Sequence, residues 1–301
     1  MIVSRIDGGL GNQLFQYAYG FFLARKHRCG FWLDTRTFDC QPTHGYLLDQ
    51  FRIEAAEADE EILDRLPRRY RPRKSPDGKL EGWKWLLSLF SQGKLRRHKE
   101  APFGFHPRHL NVSGMRYLVG YWQSEQFFPG LRDELLAQFS LRNPLNIASQ
   151  QVLVQIQTSN SLAVHVRRGD YVTNPAAAKI YFQLGPEYYR WAINDWALRQ
   201  TDAERKPEIF VFSNDFTWCR EHLVFPWKTS FVDHNQANAA HEDLVLMSAA
   251  QCCVISNSTF SWWAAWLNQR NGHAVYAPDN WFQPGGLDGS NIVPHDWRRP
   301  S

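Results

Sequence analysis

The chain has 301 residues, of which 44% are hydrophobic and 21% charged, so it can bury a large core in one domain or two. Its formal net charge of +4 is too small to indicate a nucleic-acid partner. Five cysteines without a C-x-x-C pair support neither a disulfide framework nor a zinc site. The sequence shows no signal peptide and no apolar run of the ~20 residues that span a membrane. Together these features predict a cytoplasmic protein.

The first elements in the chain are a strand, a glycine-rich turn and a helix. Residues 2–6 are apolar enough for a buried strand, and a helix is predicted over residues 13–27 after the turn at 7–13. A second strand at 30–34 ends in Asp34. This order is close to a dinucleotide-binding fingerprint, but Leu14 stands where a small residue is required. An NAD-dependent oxidoreductase is therefore the weaker alternative.

The next stretch is irregular and basic. Basic runs at residues 68–74 and 94–99 flank an apolar segment at 83–90. One interpretation is a patch for an anionic membrane surface, through segment 68–99, or for a phosphate-bearing acceptor. The interpretation that we favour is a helical insertion, spanning about 67–115, with a solvated basic rim. A strand at 117–125 and a helix at 129–139 complete the first half.

In the second half, helices and strands alternate. We predict a domain boundary near Asn146, which divides the chain into two halves, 1–146 and 147–301. The predicted helices are 147–158, 187–200, 238–250 and 260–268, and the predicted strands are 161–166, 208–212, 229–232, 252–255 and 273–277. This alternation is typical of a mostly parallel sheet with helices on both faces, which places the chain in the α/β class.

A cluster of charged residues follows the strand at 161–166. His165, Arg167, Arg168 and Asp170 stand at its carboxyl end, which is where ligands bind in open α/β sheets. A guanidinium offers a fork of donors that matches phosphate oxygens, so two adjacent arginines favour a phosphate or diphosphate site. The alternative is a surface Arg–Asp ion pair, worth ~1 kcal/mol or less.

Two further polar positions fit a nucleotide. Ser258 or Thr259 is predicted to cap the helix at 260–268, whose free N–H groups would then face a phosphate, although such a residue is most often only a cap. Asp243 stands in an apolar helix, where a buried carboxylate requires a donor pair such as the N1–N2 edge of guanine. The alternative for Asp243 is an acid on the helix surface beside Glu242.

Five motifs together resemble the bacterial α-1,2-fucosyltransferases. They occur in that family's order, at residues 7–18, 120–125, 165–170, 212–215 and 256–263. The resemblance implies a GT-B architecture, in which two Rossmann-like domains face a central cleft, with 1–146 on the acceptor side and 147–301 binding the nucleotide sugar. It also implies inverting transfer of L-fucose from GDP-β-L-fucose to a 2-hydroxyl, commonly of galactose, with no cofactor and no required metal. The natural acceptor glycan and the oligomeric state are not predicted.

The resemblance also assigns roles to individual residues. The donor site is expected to include Gly9, Gly11, Asn12, His165, Arg167, Asp215, Asp243, Ser258, Thr259 and Phe260, with the glycine turn opposite Arg167. The catalytic residues are expected to be Arg167, Arg168 and Asp170. Arginine, hydroxyl and backbone N–H groups would then stabilise the departing diphosphate in place of a metal ion.

The base that deprotonates the acceptor has several candidates. Asp170 is one by position, although it could equally orient Arg168 or a loop, and His44, Asp34 and Glu125 are the others. Three alternative functions remain open beside the main one: a fucosyltransferase of another linkage, the oxidoreductase, and a non-catalytic sugar-binding protein. The last is suggested by the 15% of aromatic residues.

Overall fold

Each half of the chain forms one five-stranded parallel sheet in the computed structural model, which describes residues 1–39, 44–66, 94–200 and 206–300. The first sheet has the order β3-β2-β1-β5-β4. Its strands are β1 (Ile2–Arg5), β2 (Phe31–Asp34), β3 (Ala56–Glu57), β4 (Arg96–Lys99) and β5 (Arg116–Val119). Its helices are α1 (Leu10–His27), α2 (Glu60–Leu63) and α3 (Arg132–Gln138).

The second sheet has the order β10-β9-β6-β7-β8. Its strands are β6 (Asn160–Val166), β7 (Pro207–Ser213), β8 (Lys228–Phe231), β9 (Cys252–Val254) and β10 (Ala274–Tyr276). Its helices are α4 (Ile147–Thr158), α5 (Gly169–Thr173), α6 (Pro175–Ala178), α7 (Pro186–Leu198), α8 (Phe216–His222), α9 (Ala240–Ser248) and α10 (Thr259–Trp266). Because β6 is the central strand, the arginine motif leaves the middle of the sheet.

The predicted alternation of the second half is confirmed within a few residues at each element. Helix α4 has the predicted bounds, and β6 is buried from Ser161 to Val166, as expected for a strand covered on both faces. In the first half, α1 begins earlier than predicted, at Leu10. Gly8 has a φ of +77°, and this left-handed turn brings the chain directly into the helix.

Two predictions for the first half are wrong. The run 94–99 is not the rim of a helical insertion, because Arg96–Lys99 is the edge strand β4 and pairs in parallel with β5. A basic edge strand resists pairing with a second sheet, which explains its composition. The strand predicted at 117–125 ends at Val119, because Trp122 has a φ of +56° that a strand cannot contain. The run 68–74 and the segment 83–90 lie outside the described residues.

The two halves meet where α1 crosses α10. A Cβ atom added to Gly11 would lie 2.3 Å from the backbone carbonyl carbon of Thr259, so the two helix backbones are in direct contact. Below this contact the ring of Phe15 packs 4.5 Å from that of Trp262 and 4.9 Å from that of Trp263, measured between centroids. One hydrophobic core therefore spans both halves and holds their polar ends together.

This contact predicts different effects for two neighbouring glycines. Gly11→Ala is expected to lower the free energy of unfolding by about 1–3 kcal/mol, because the added methyl group meets backbone that cannot move aside. Gly9→Ala is the matched control. Its Cβ would approach only the His44 ring, at 3.8 Å, and the φ of Gly9 is −69°. Thermal unfolding measures both variants, and equal melting temperatures would contradict the close helix contact.

Candidate active site

Arg167 is held at the carboxyl end of β6 by the carboxylate that follows it. Its Nη2 atom lies 2.9 Å from Oδ2 of Asp170, and its guanidinium carbon lies 5.7 Å from the ring centre of Tyr171. The second oxygen of Asp170 accepts a hydrogen bond of 3.2 Å from Nδ2 of Asn214. Since a guanidinium has five N–H donors, Arg167 can keep this ion pair and still bind an anion in the cleft.

Arg168 has a different environment. Its guanidinium stacks over the ring of Trp218 at 4.5 Å, and its Nε atom lies 3.7 Å from Oδ2 of Asp215. Asp215 in turn caps α8, because its Oδ1 accepts the backbone N–H of Trp218 at 3.1 Å. The structure therefore brings Arg168 and Asp215 together as a pair. It also shows that Asp170 orients Arg167 and not Arg168.

His165 is a buried, neutral histidine behind the arginine. Its Nδ1 atom lies 2.8 Å from the hydroxyl of Ser256, and the ring of Phe260 lies 5.5 Å away. Burial, together with the charge of Arg167, lowers the pKa of His165 to about 3. A neutral imidazole at this position links the end of β6 to the loop that precedes α10, so we interpret His165 as a residue that fixes the two together.

The loop before α10 is arranged differently from the sequence prediction. Ser258 is the N-cap residue, but its side chain makes no capping hydrogen bond, so the prediction of a hydroxyl cap is wrong. The hydroxyl of Thr259 instead donates to Oδ1 of Asn12 at 3.0 Å. The same oxygen accepts from Nε2 of Gln123 at 2.9 Å. The first turn of α10 can therefore still direct backbone N–H groups toward a ligand.

The glycine turn is held in place by the side chain of Gln13. The buried side chain of Gln13 donates to the carbonyls of Gly8 and Gly45, at 2.9 and 2.8 Å, and accepts from the N–H of Leu47 at 3.0 Å. These bonds place His44 beside Gly9. Desolvation, Arg167 and Asp170 all influence the pKa of His44, and the net effect is to lower it. The charges of the arginine motif therefore act on His44.

Asp243 lies in a polar pocket beside the predicted domain boundary. It is partly buried, and its Oδ1 accepts a hydrogen bond of 2.8 Å from Asn235. Glu242 is also buried, and it accepts the N–H of Asn146 at 3.1 Å. Burial raises the pKa of Asp243 to about 7. Asp243 is thus not an acid on the helix surface, and it remains a candidate for contact with the edge of a guanine base.

Two of the four candidate bases are engaged elsewhere. Asp34 receives two hydrogen bonds from Arg36, at 2.8 and 2.7 Å, and one from the hydroxyl of Tyr117 at 2.7 Å. Burial would raise the pKa of Asp34, but these donors outweigh it and hold the pKa below its usual range. Glu125 accepts from the indole of Trp266 at 3.1 Å. Asp34 is also unavailable for a ribose hydroxyl, which removes the basis of the oxidoreductase alternative.

Four polar residues of this site were not predicted from the sequence. Gln13 and Gln123 connect the glycine turn to neighbouring loops, and Asn214 and Ser256 anchor Asp170 and His165. All four are uncharged positions within the five motifs, and Gln13 falls in the first of them. A polar side chain at the carboxyl end of a strand is the signal that could have indicated Gln123, Asn214 and Ser256. Gln13 lies within α1 and has no such signal.

The described residues lack two features, a metal-binding cluster and a membrane-spanning helix. No group of three or more His, Cys, Asp or Glu side chains within residues 1–39, 44–66, 94–200 and 206–300 could hold a metal ion. Over the same ranges, no helix has the length and apolar character required to cross a bilayer.

The sequence comparison identifies the family. The family model described as Glycosyl transferase family 11 matches residues 104–297. The chain belongs to this family. An α-1,2-colitosyltransferase of Escherichia coli is 30% identical over 99% of this chain and 98% of its own length. The mouse galactoside 2-α-L-fucosyltransferase Sec1 is 26% identical over 94% of this chain and 68% of its own.

Solved structures of other glycosyltransferases share the fold. The α-1,6-fucosyltransferase NodZ, soaked with GDP-fucose, superposes with a TM-score of 0.55 over 92% of this chain and 94% of its own, at 14% identity. A variant of Arabidopsis thaliana FUT1 in complex with GDP gives 0.51 over 98% of this chain and 75% of its own, at 16% identity. The prediction of a GT-B architecture with two Rossmann-like halves is confirmed.

The raised pKa of Asp243 predicts a pH-dependent effect on stability. The folded chain holds this proton more tightly than an unfolded chain does, so stability is lost as the pH rises from about 4 to about 7. Asp243→Asn, which keeps the acceptor for Asn235, is therefore expected to raise the melting temperature at about pH 8 and to change it little at about pH 4. If Asp243→Asn melted at a lower temperature than the wild type at about pH 8, this would contradict the raised pKa of Asp243.

Proposed function

We propose that the protein transfers L-fucose from GDP-β-L-fucose to the 2-hydroxyl of a galactose-containing glycan, with inversion and without a metal ion. Membership of glycosyl transferase family 11 and the α-1,2-fucosyltransferases among the relatives support the reaction class. The observation on which the proposal rests most is the position of Arg167. Fixed by Asp170, its guanidinium lies over the ring of Tyr171, whose hydroxyl donates to the carbonyl of Asn257 in the loop before α10. At Gly11 the glycine turn lies against the start of the same helix.

This arrangement suits the departure of a nucleoside diphosphate. As the bond to fucose breaks, negative charge grows on the β-phosphate, and donors that are already in place stabilise that charge without reorganisation. Arg167 would contact the phosphate oxygens through its fork of N–H groups, and the first turn of α10, with Ser258, Thr259 and Phe260, would supply backbone donors. Arg168, stacked on Trp218, would support the position of its neighbour.

The guanine base would lie toward Asp243. Its carboxylate could accept the paired N–H groups of the guanine edge, and nucleotide binding would then favour the ionised form of a group whose pKa is about 7. We expect the diphosphate to lie between the two halves and the guanine base to lie in the second half. Residues 147–301 would thus bind the donor, and residues 1–146 would present the acceptor.

Colitose transfer is the second candidate function, because an α-1,2-colitosyltransferase is 30% identical to this chain over 99% of its length. A transfer assay distinguishes the two donors. The purified protein is incubated with GDP-fucose or GDP-colitose and a series of galactose-terminated acceptors, and the linkage in the product is assigned by NMR. Fucose in an α-1,2 linkage is the expected product. Release of GDP without any glycoside product from either donor would overturn the proposal.

His44 is proposed as the base that accepts the proton of the acceptor hydroxyl. Both oxygens of Asp170 are hydrogen-bonded, to Arg167 and to Asn214, so its carboxylate serves as an anchor. The pKa of His44 is lowered by desolvation and by Arg167, which keeps the imidazole neutral and able to accept a proton at neutral pH.

The pH dependence of the rate tests this assignment. His44→Gln is expected to reduce kcat by about 10²-fold or more and to abolish the acidic limb of the pH–rate profile, because glutamine cannot accept a proton. Asp170→Asn serves as the comparison and is expected to retain that limb. A His44→Gln variant with an unchanged profile would show that another group removes the proton.

A further inference from the structure

We propose that Tyr121 is a stacking platform for a neutral hexopyranose of the acceptor, and that Tyr181 forms the facing side of the same subsite. This inference rests on the proposed function and adds the recognition of the acceptor sugar to it. It starts from the exposure of Tyr121, which is 42% accessible. Of the large hydrophobic side chains exposed within the described residues, it is the aromatic one; the others are aliphatic.

The backbone around Tyr121 is fixed in a costly conformation. The buried carboxylate of Glu100 accepts the N–H groups of Tyr121 and Trp122, at 2.6 and 3.0 Å. The side chain of Gln16 donates to the carbonyl of Gly120 at 3.2 Å. Trp122 itself is fully buried with a φ of +56°, a conformation that costs on the order of 1–3 kcal/mol for a residue other than glycine.

This geometry turns one aromatic side chain inward and the preceding one outward. The indole of Trp122 lies in the core, where it stacks with the ring of His98 at 5.5 Å and 9°. Tyr121 is consequently directed away from the core while its backbone is held on both sides. A free loop would not require a buried carboxylate and a left-handed tryptophan, so the arrangement indicates that the outward position of Tyr121 is used.

The backbone of Tyr121 is tied to the glycine turn, because Gln16, which donates to the carbonyl of Gly120, also accepts the N–H of Asp7 at 2.9 Å. Burial raises the pKa of Tyr121, and the charge of Asp7 adds to this effect. Glu100, which holds the N–H groups of Tyr121 and Trp122, also accepts the N–H of Gly104, the residue after Phe103, at 3.3 Å. Tyr181 of the second half stacks on Tyr171, the ring over which Arg167 lies.

Other aromatic rings hold Tyr181 in place. Its ring is parallel to that of Tyr171 at a centroid distance of 4.2 Å and an interplanar angle of 2°. On its other side it lies 5.7 Å from Phe282, which contacts Phe103 of the first half edge to face at 5.4 Å. An aromatic wall thus crosses from one half to the other beside the reaction centre.

The chemistry of this wall fits a sugar ring. A rigid aromatic face binds the C–H face of a pyranose, and the carboxylate of Asp7, which is 20% exposed, can accept hydrogen bonds from its hydroxyl groups. Because Arg5 pairs with Asp7 at 2.9 Å, the two side chains together carry little net charge, which suits a neutral ligand. Because Tyr181 adjoins Arg167 and Asp170, a sugar that rests on Tyr121 can direct a hydroxyl group toward the reacting carbon of the donor.

Steady-state kinetics with GDP-fucose and a galactose-terminated acceptor test the proposal. Tyr121→Ala is expected to raise the KM for the acceptor about tenfold, because the stacking face is lost. Tyr121→Phe keeps that face and is expected to remain within about twofold of the wild type. The KM for GDP-fucose, and the slow release of GDP without acceptor, are expected to stay unchanged in both variants, since neither involves Tyr121.

Phe22→Ala is the control for loss of an aromatic side chain. Phe22 lies toward the far end of α1, where the ammonium of Lys26 covers its ring at 5.9 Å. This variant is expected to leave the acceptor KM unchanged. An unchanged acceptor KM in Tyr121→Ala would overturn the proposal, and so would an equal rise in the KM for the donor, which would indicate a structural role. Absence of transfer by the wild-type protein would instead overturn the proposed function.

Discussion

The arrangement of the site depends on the contact between the first turns of α1 and α10. At Gly11 no side chain separates the helix from the backbone of Thr259 and Phe260, and a Cβ there would lie within 2.6 Å of three backbone atoms. Asn12 can therefore reach the hydroxyl of Thr259 and the amide of Gln123 together. The glycine turn of the first half and the loop before α10 of the second are thereby brought to one place.

The charged residues at the end of β6 are supported within the second half itself. Arg167 has one anionic anchor, Asp170, which is itself fixed by Asn214. His165 is held uncharged beneath them and bonded to Ser256. A fixed cation next to a helix N-terminus stabilises a diphosphate by electrostatics that need no reorganisation. Asp243 differs from Asp170. Its pKa is raised because burial disfavours the ionised carboxylate, so this residue reduces stability where it is ionised.

Sequence patterns predicted the second half better than the first for a physical reason. Its strands are buried on both faces and therefore read as continuous apolar runs between helices. Strand β4, with the sequence Arg-Arg-His-Lys, carries no such signal, because its place at the sheet edge comes from pairing with β5. The turn at Trp122 could not be predicted from the sequence either, since it depends on Glu100, which lies 22 residues away.

The candidate site, like the fold, was predicted only in part from the sequence. The motifs located Arg167, Asp170 and the loop before α10, because charged and hydroxyl residues at strand ends have a clear chemical meaning. They did not show which carboxylates are already paired. Asp34 is engaged by Tyr117, which is 83 residues away in the chain, and only the folded structure reveals that contact. Neutral residues such as Gln13 were overlooked because an amide that joins two loops leaves no pattern in the sequence.

The central claim is that the guanidinium fork of Arg167 stabilises the departing diphosphate where other transferases use a metal ion. Measurement of kcat for Arg167→Lys, with a chelator present throughout, tests it most directly. The account predicts that this variant loses most of its kcat, because an ammonium group cannot bind two phosphate oxygens in the same way. Arg220→Lys, which alters an exposed ion pair with Asp233, should retain it. A kcat near that of the wild type in Arg167→Lys, or loss of wild-type activity on chelation, would contradict the account.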